Sequence, residues 1–209
     1  MHAAIFDIDG TLIDSCEVDN AMYVEAIQHI LGATVRIRDA WELYDHVSDT
    51  GILADICGDN AMGYDDALSD AIRDVFLHRL SAHMSVHGPY REMPGALDYL
   101  HTLRQRPDVR IAYATGGWRA SAQLKLSSAC FPLQDIPLAS ANDHRDRRQI
   151  MRHALAQLEG PFESITYFGD GVWDRQATAD LGWRFVAVGS KIAGIRGFDP
   201  HPPLPADAE

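Results

Sequence analysis

The sequence predicts an α/β protein, with a central parallel sheet wound by helices on both faces and an α-helical block inserted after the first strand. Three observations carry this expectation. Short apolar runs, AAIF (3–6), RIAYA (110–114), ITYF (165–168) and FVAV (185–188), each lead into a small or polar residue. Their apolarity is continuous rather than alternating, as in strands buried on both faces of a parallel sheet. Between the later runs lie segments of helical period, so strand and helix alternate through the second half of the chain.

In chain order, AAIF is the first strand and ends at Asp7. From 15 to 89 no comparable strand run occurs. The apolar residues there recur at helical spacing, with one stripe at Tyr23, Ala26, Ile27, Ile30 and Leu31 and another at Leu68, Ile72, Val75, Phe76 and Leu80. Gly88-Pro89 and Pro94-Gly95 punctuate the return to the core. This divides the chain into a core of residues 1–14 and 90–209 and an insertion of residues 15–89. Helices are expected over 95–105, 118–129, 147–158 and 173–181, the last stopped by Gly182, with PLAS (137–140) as a fifth strand. The segment 194–209, with four prolines and little apolar content, reads as an extended or mobile tail.

Composition narrows the partners. Thirty acidic residues against 18 basic ones leave a net charge of −12. No lysine-rich or arginine-rich run could follow a phosphate backbone, so nucleic acid and anionic membrane are poor candidates. Cys16, Cys57 and Cys130 are few and far apart, which suits a reducing compartment better than a disulfide framework or a zinc site. With no signal-like start and no long apolar run, a soluble cytoplasmic protein is expected. Oligomeric state has no signature.

The chemistry starts with FDIDGTL, residues 6–12. An aspartate at a strand end can attack phosphorus and carry the phosphoryl group. A second carboxylate beside it could move the proton. On a continuing strand Asp7 and Asp9 would point to opposite faces, so the chain must turn at Asp9-Gly10, which a glycine permits. Taken alone, Asp-Gly after a strand is more often a plain turn. Two further strand ends carry polar groups, ATGG after RIAYA and GDGVWD (169–174) after ITYF, and DHRDRRQIM (143–151) places three arginines at a helix start.

In this order the motifs resemble those of the haloacid dehalogenase superfamily, whose DxDGT pattern is matched by Asp7-Ile8-Asp9-Gly10-Thr11. The resemblance implies a Rossmann-like core with a helical cap, here residues 15–89, and points to its capped, phosphoglycolate phosphatase-like branch. It implies Asp7 as nucleophile and Asp9 as general acid/base. Thr115 and Gly116, ahead of a helix, would bind phosphate oxygens. Asp7, Asp170 and the backbone carbonyl of Asp9 would hold Mg2+, with Asp174 supporting, as a hard cation with oxygen ligands requires. The family usually places a lysine between the second and fourth motifs. Neither of the two lysines, Lys125 and Lys191, stands where it is expected, so Arg147, or alternatively Arg145, takes that part, and Arg148 is left to solvent.

The implied activity is hydrolysis of a small phosphomonoester through an aspartyl-phosphate, with a small phosphorylated metabolite as substrate and sugar phosphates or phosphoglycolate-like acids foremost. Asp9 argues against carbon–halogen chemistry, which lacks that residue, and the absence of lysine from 15–89 argues against Schiff-base phosphonate chemistry. A sugar phosphomutase is the alternative, weakened because Asp19 stands near the position of an expected histidine. A non-catalytic phosphate-sensing or partner-binding module is another. Within the cap, Asp49, Thr50 and Gly51 are the candidates for reading the substrate, and Trp118 is expected to pack in the core.

Overall fold

The computed structural model describes residues 1–204. Five strands form one parallel sheet: β1 (His2–Phe6), β4 (Val109–Ala114), β5 (Leu138–Ala139), β6 (Ser164–Gly169) and β7 (Arg184–Ala187). Their spatial order is β5-β4-β1-β6-β7, so the first strand lies at the centre. In register, His2 to Phe6 pair with Val109 to Tyr113 on one side and with Ser164 to Phe168 on the other.

Alternation along β1 serves two cores. Ala4 and Phe6 face one layer, where Phe6 stacks on Phe168 at 4.5 Å. Ile5 faces the opposite layer with Tyr167, Ile150 and Met151. Helices α4 (Ala96–Arg104) and α5 (Arg119–Ser128) cover the first face, and α6 (Arg147–Ala156) and α7 (Val172–Leu181) cover the second. Both faces are therefore dry, which is why the strand runs are continuously apolar.

Residues 15–89 contain α1 (Cys16–Leu31), α2 (Asp49–Asp59) and α3 (Asp66–His87). This helical block leaves and rejoins the sheet through a two-stranded antiparallel ribbon, β2 (Ile13–Asp14) with β3 (Arg91–Glu92). Its aromatic contacts reach into the sheet layer: Trp118, which opens α5, packs edge-on against Tyr23 of α1 at 5.5 Å and close to Phe76 of α3. Among the described residues no helix is long and apolar enough to cross a membrane.

The tail departs from expectation. Val188 bridges to Ile195, Phe198 and Leu204 are buried, and Tyr99 donates its hydroxyl to the Pro202 carbonyl at 3.0 Å. Phe198 lies within 5.2–6.1 Å of the rings of Phe6, Tyr99 and Phe168. Two apolar side chains anchored on the aromatic face hold a segment whose prolines had suggested mobility. The last part of the expected tail, 205–209, lies outside the described residues.

Candidate active site

The site is built from strand ends. Asp7 follows β1 and keeps its N–H on the Phe168 carbonyl at 2.9 Å, so its side chain leaves the sheet where the ladder stops. The chain then turns over Ile8, whose carbonyl accepts from Thr11, Leu12 and Ile13. Gly10 completes the turn at φ 76°, and a Cβ there would stand 2.1 Å from an Asp170 oxygen. Glycine is required twice over, by the backbone and by the approach of Asp170.

Asp7, Asp170 and Asp174 offer carboxylate oxygens within 4.8 Å of one another, all buried. Asp170 ends the turn after β6, and Asp174 lies in the first turn of α7, where Gly171 donates to it at 3.2 Å. Arg147, first residue of α6, reaches between them: its Nη2 is 3.0 Å from Asp7 and its Nε donates to Asp174 at 2.7 Å. A Cβ on Gly116 would meet this guanidinium at 2.4 Å. The loop after β4 is thus stripped of a side chain where the arginine passes.

Burial pushes the Asp7 carboxyl well above the ordinary range, Arg147 opposes this, and Asp174, Asp170 and Asp9 add to the rise. Asp170 is raised by burial too, against the pull of Lys191. Burial alone would lower Arg147, but Asp174 and Asp7 outweigh it and keep the guanidinium charged.

The expected site residues sort clearly. Thr115 is buried beside the cluster, its Oγ1 accepting from Gly117 at 3.0 Å, which leaves its proton for an outside acceptor. Arg145 does not enter. Its guanidinium lies over the Tyr64 ring at 4.6 Å, because it precedes the N-cap Asp146 and so points away from the inner face of α6. Arg148 pairs with Asp146 at the surface.

Of the three residues expected to read the substrate, only Asp49 lines the cavity. Ser48 caps α2 by accepting from Gly51, and Thr50 donates to the Ala141 carbonyl at 3.1 Å. Thr50 thus docks the helix start on a sheet loop and Gly51 serves the cap, and neither lines the cavity.

Both lysines, given no part from the sequence, reach carboxylates of the site. Lys125, on the buried face of α5, places its Nζ 2.6 Å from Asp9 Oδ1 and in contact with Asp19 of α1. Ser15 donates to the same Asp9 oxygen at 2.5 Å. Lys191, in the loop after β7, lies 2.6 Å from Asp170. A signal for Lys125 existed: Ser121, Ala122, Lys125 and Leu126 share one helix face, and a lysine on an apolar face calls for a buried partner. Lys191 follows a strand end, where ligand-facing residues of such sheets gather.

Between the sheet loops and the helical block, Asp7, Asp9, Thr115, Arg147, Asp170 and Lys191 line an open cleft of about 80 Å³. Asp49 lines it too: its N–H donates to the Gly116 carbonyl at 2.8 Å, its carboxylate accepts from Trp118 at 2.8 Å, and its carbonyl accepts from Tyr23 at 2.6 Å.

A family model described as haloacid dehalogenase-like hydrolase matches residues 1–182. Curated protein sequences give no match. Among solved structures, a hydrolase from Pseudomonas syringae superposes with TM-score 0.73 at 19% identity, covering 98% of this chain and 92% of that one. CbbY from Rhodobacter sphaeroides, in complex with phosphate, gives 0.70 at 20%, covering 93% and 91%. A beta-phosphoglucomutase from Clostridium difficile gives 0.70 at 15%, covering 92% and 89%. At such identities the likeness is one of fold.

Proposed function

The chain belongs to the haloacid dehalogenase-like hydrolases, and on that premise we propose that it is a Mg2+-dependent phosphatase acting on a small phosphomonoester through a phosphorylated Asp7. One observation carries the reading: a buried carboxylate at the end of the central strand, 3.0 Å from a buried guanidinium and clustered with Asp170 and Asp174.

The donor set fits a hard divalent cation. Three buried carboxylates offer oxygen alone, and Asp7 Oδ1 meets Arg147 as an ion pair without a hydrogen bond of good geometry. Asp7, Asp170 and the Asp9 carbonyl would hold it, with Asp174 in support through its grip on Arg147. The ion, when bound, supplies counter-charge to the phosphoryl oxygens and to the carboxylates around them.

Arg147, the Thr115 hydroxyl and the Gly116 N–H bind and orient the phosphoryl group, so that Asp7 attacks phosphorus in line with the leaving oxygen. The P–O bond to the alcohol breaks as the bond to Asp7 forms, and the leaving oxygen takes a proton from Asp9. Ser15 and Lys125 both engage Asp9 Oδ1, so Oδ2 is the oxygen that carries this proton. Asp9 then takes a proton from water, which attacks the phosphoaspartate and releases inorganic phosphate. The helical block, docked through Asp49 and Thr50, excludes bulk water during the first step.

Asp7→Asn tests the reading. Turnover of p-nitrophenyl phosphate with Mg2+ falls by about 10³-fold or more while the circular dichroism spectrum is kept. Retained turnover removes Asp7 from the chemistry, and absence of turnover in the parent protein favours a phosphate-binding module. A mutase, the reading the phosphoglucomutase likeness favours, would need a bisphosphate activator and return an isomer in place of inorganic phosphate.

A further inference from the structure

The cavity has two unlike halves. On the phosphoryl side stand Arg147 and Lys191, each held by a carboxylate of the cluster. On the side of the helical block the wall is formed by Asp19, Asn20, Tyr23, Trp41, Ser48 and Asp49, which carry carboxyl, amide, hydroxyl and ring surfaces and no cation.

The arginines that could supply a cation are committed elsewhere. Residues 15–89 contain no lysine and four arginines. Arg36 and Arg38 hold Asp59 and its carbonyl, Arg73 pairs with Asp70 and Arg79 with Glu25, and among the described residues none of these lines the cavity. Lys125, whose ammonium reaches Asp19 of that wall, does not line the cavity; it is wholly buried and paired with Asp9 and Asp19. A neighbouring cavity shares Val47, Arg147 and Trp173 with this one, and its one further guanidinium, Arg148, is taken by Asp146 and Asp180.

Resting on the phosphatase reading, we infer that the leaving group carries no second anion and is a short, uncharged polyhydroxy alcohol. A carboxylate or second phosphate on it would be desolvated on the wall of the helical block, where no cation stands to receive it. Hydroxyls, by contrast, donate to the carboxyl oxygens of Asp19 and Asp49, and the carbon chain lies on the Tyr23 and Trp41 rings. The narrow inner part of the cleft, about 80 Å³, favours a short leaving group. Of the two classes that the family resemblance put foremost, phosphoglycolate-like acids are thereby disfavoured against sugar phosphates.

Matched probes test this, because glycerol 3-phosphate and 3-phosphoglycerate differ only in a hydroxymethyl against a carboxylate. With Mg2+ and the full chain, kcat/KM for the first exceeds that for the second by about tenfold or more. The same pair made as phosphonates, whose P–C bond this chemistry does not cleave, is compared by calorimetry, and the hydroxymethyl member binds about tenfold tighter. Equal or tighter binding of the carboxylate member overturns the inference, as does failure of both to bind. Tighter binding of the hydroxymethyl phosphonate without turnover of any phosphomonoester upholds the inference and sinks the phosphatase reading alone.

Discussion

Lys125 is a charged side chain on the buried face of a helix, which no fold tolerates without a reason. Its ammonium joins Asp9, from the loop after the central strand, to Asp19, from the first inserted helix. Burial alone would lower its pKa, yet the two carboxylates raise it above the ordinary value and keep it charged. Burial lifts Asp19 to about 6 against the pull of Lys125. Lys125→Met keeps the stem and removes the charge, leaving two part-buried carboxylates face to face. Urea denaturation should show a loss of about 3–5 kcal/mol, the usual result of breaking one partner out of a buried ion pair. A loss below about 1 kcal/mol would reduce the lysine to a surface-like pair. Asp9 and Asp19 were visible in the sequence as acidic residues near the first motif. Their joining was not, because Lys125 stands 116 residues from Asp9 along the chain.

At the scale of elements, α2 begins where the helical block meets the sheet, and Asp49 takes part through N–H, carbonyl and carboxylate together. Burial pushes its carboxyl up to about 8, Asp19 adds to the rise, and the Trp118 N–H opposes it. A carboxyl whose pKa is higher folded than unfolded binds its proton more tightly in the native state. Its contribution is intact below the unfolded value near 4 and declines as pH rises toward 8. Asp49→Asn keeps an acceptor for Trp118 and loses the titration. The variant should therefore match the parent in thermal stability near pH 4 and exceed it increasingly up to pH 8. A difference that does not change with pH would mean that Asp49 is solvated in the native state. The helices were legible from their apolar stripes and caps. That Thr50 would serve docking and Gly51 the cap while Asp49 faces the cavity was not, since all three sit in one helical turn and their partners are fixed only in the folded chain.

At the scale of the whole molecule, the C-terminal segment belongs to the core. Phe198 fills an aromatic cluster directly beneath β1, so Phe198→Ala should cost about 3–5 kcal/mol in urea, as expected of a large core truncation. A tail free of the fold would show no loss. The sequence by itself determined the α/β class, because strands dry on both faces must be continuously apolar and parallel strands need intervening helices. It also marked Asp7, Thr115 and Asp170 as strand-end residues, and one sheet topology places such ends side by side. The DxDGT string carried the family, and the match over residues 1–182 agrees with it. Only the tertiary structure decided which arginine meets Asp7, since Arg145 and Arg147 are two residues apart and the phase of α6 turns one inward. It alone brought Lys125 and Lys191 to the carboxylates and left the inner wall of the helical block without a cation. Pairings of this kind depend on which long side chains fold into the same space, and spacing along one chain does not encode that.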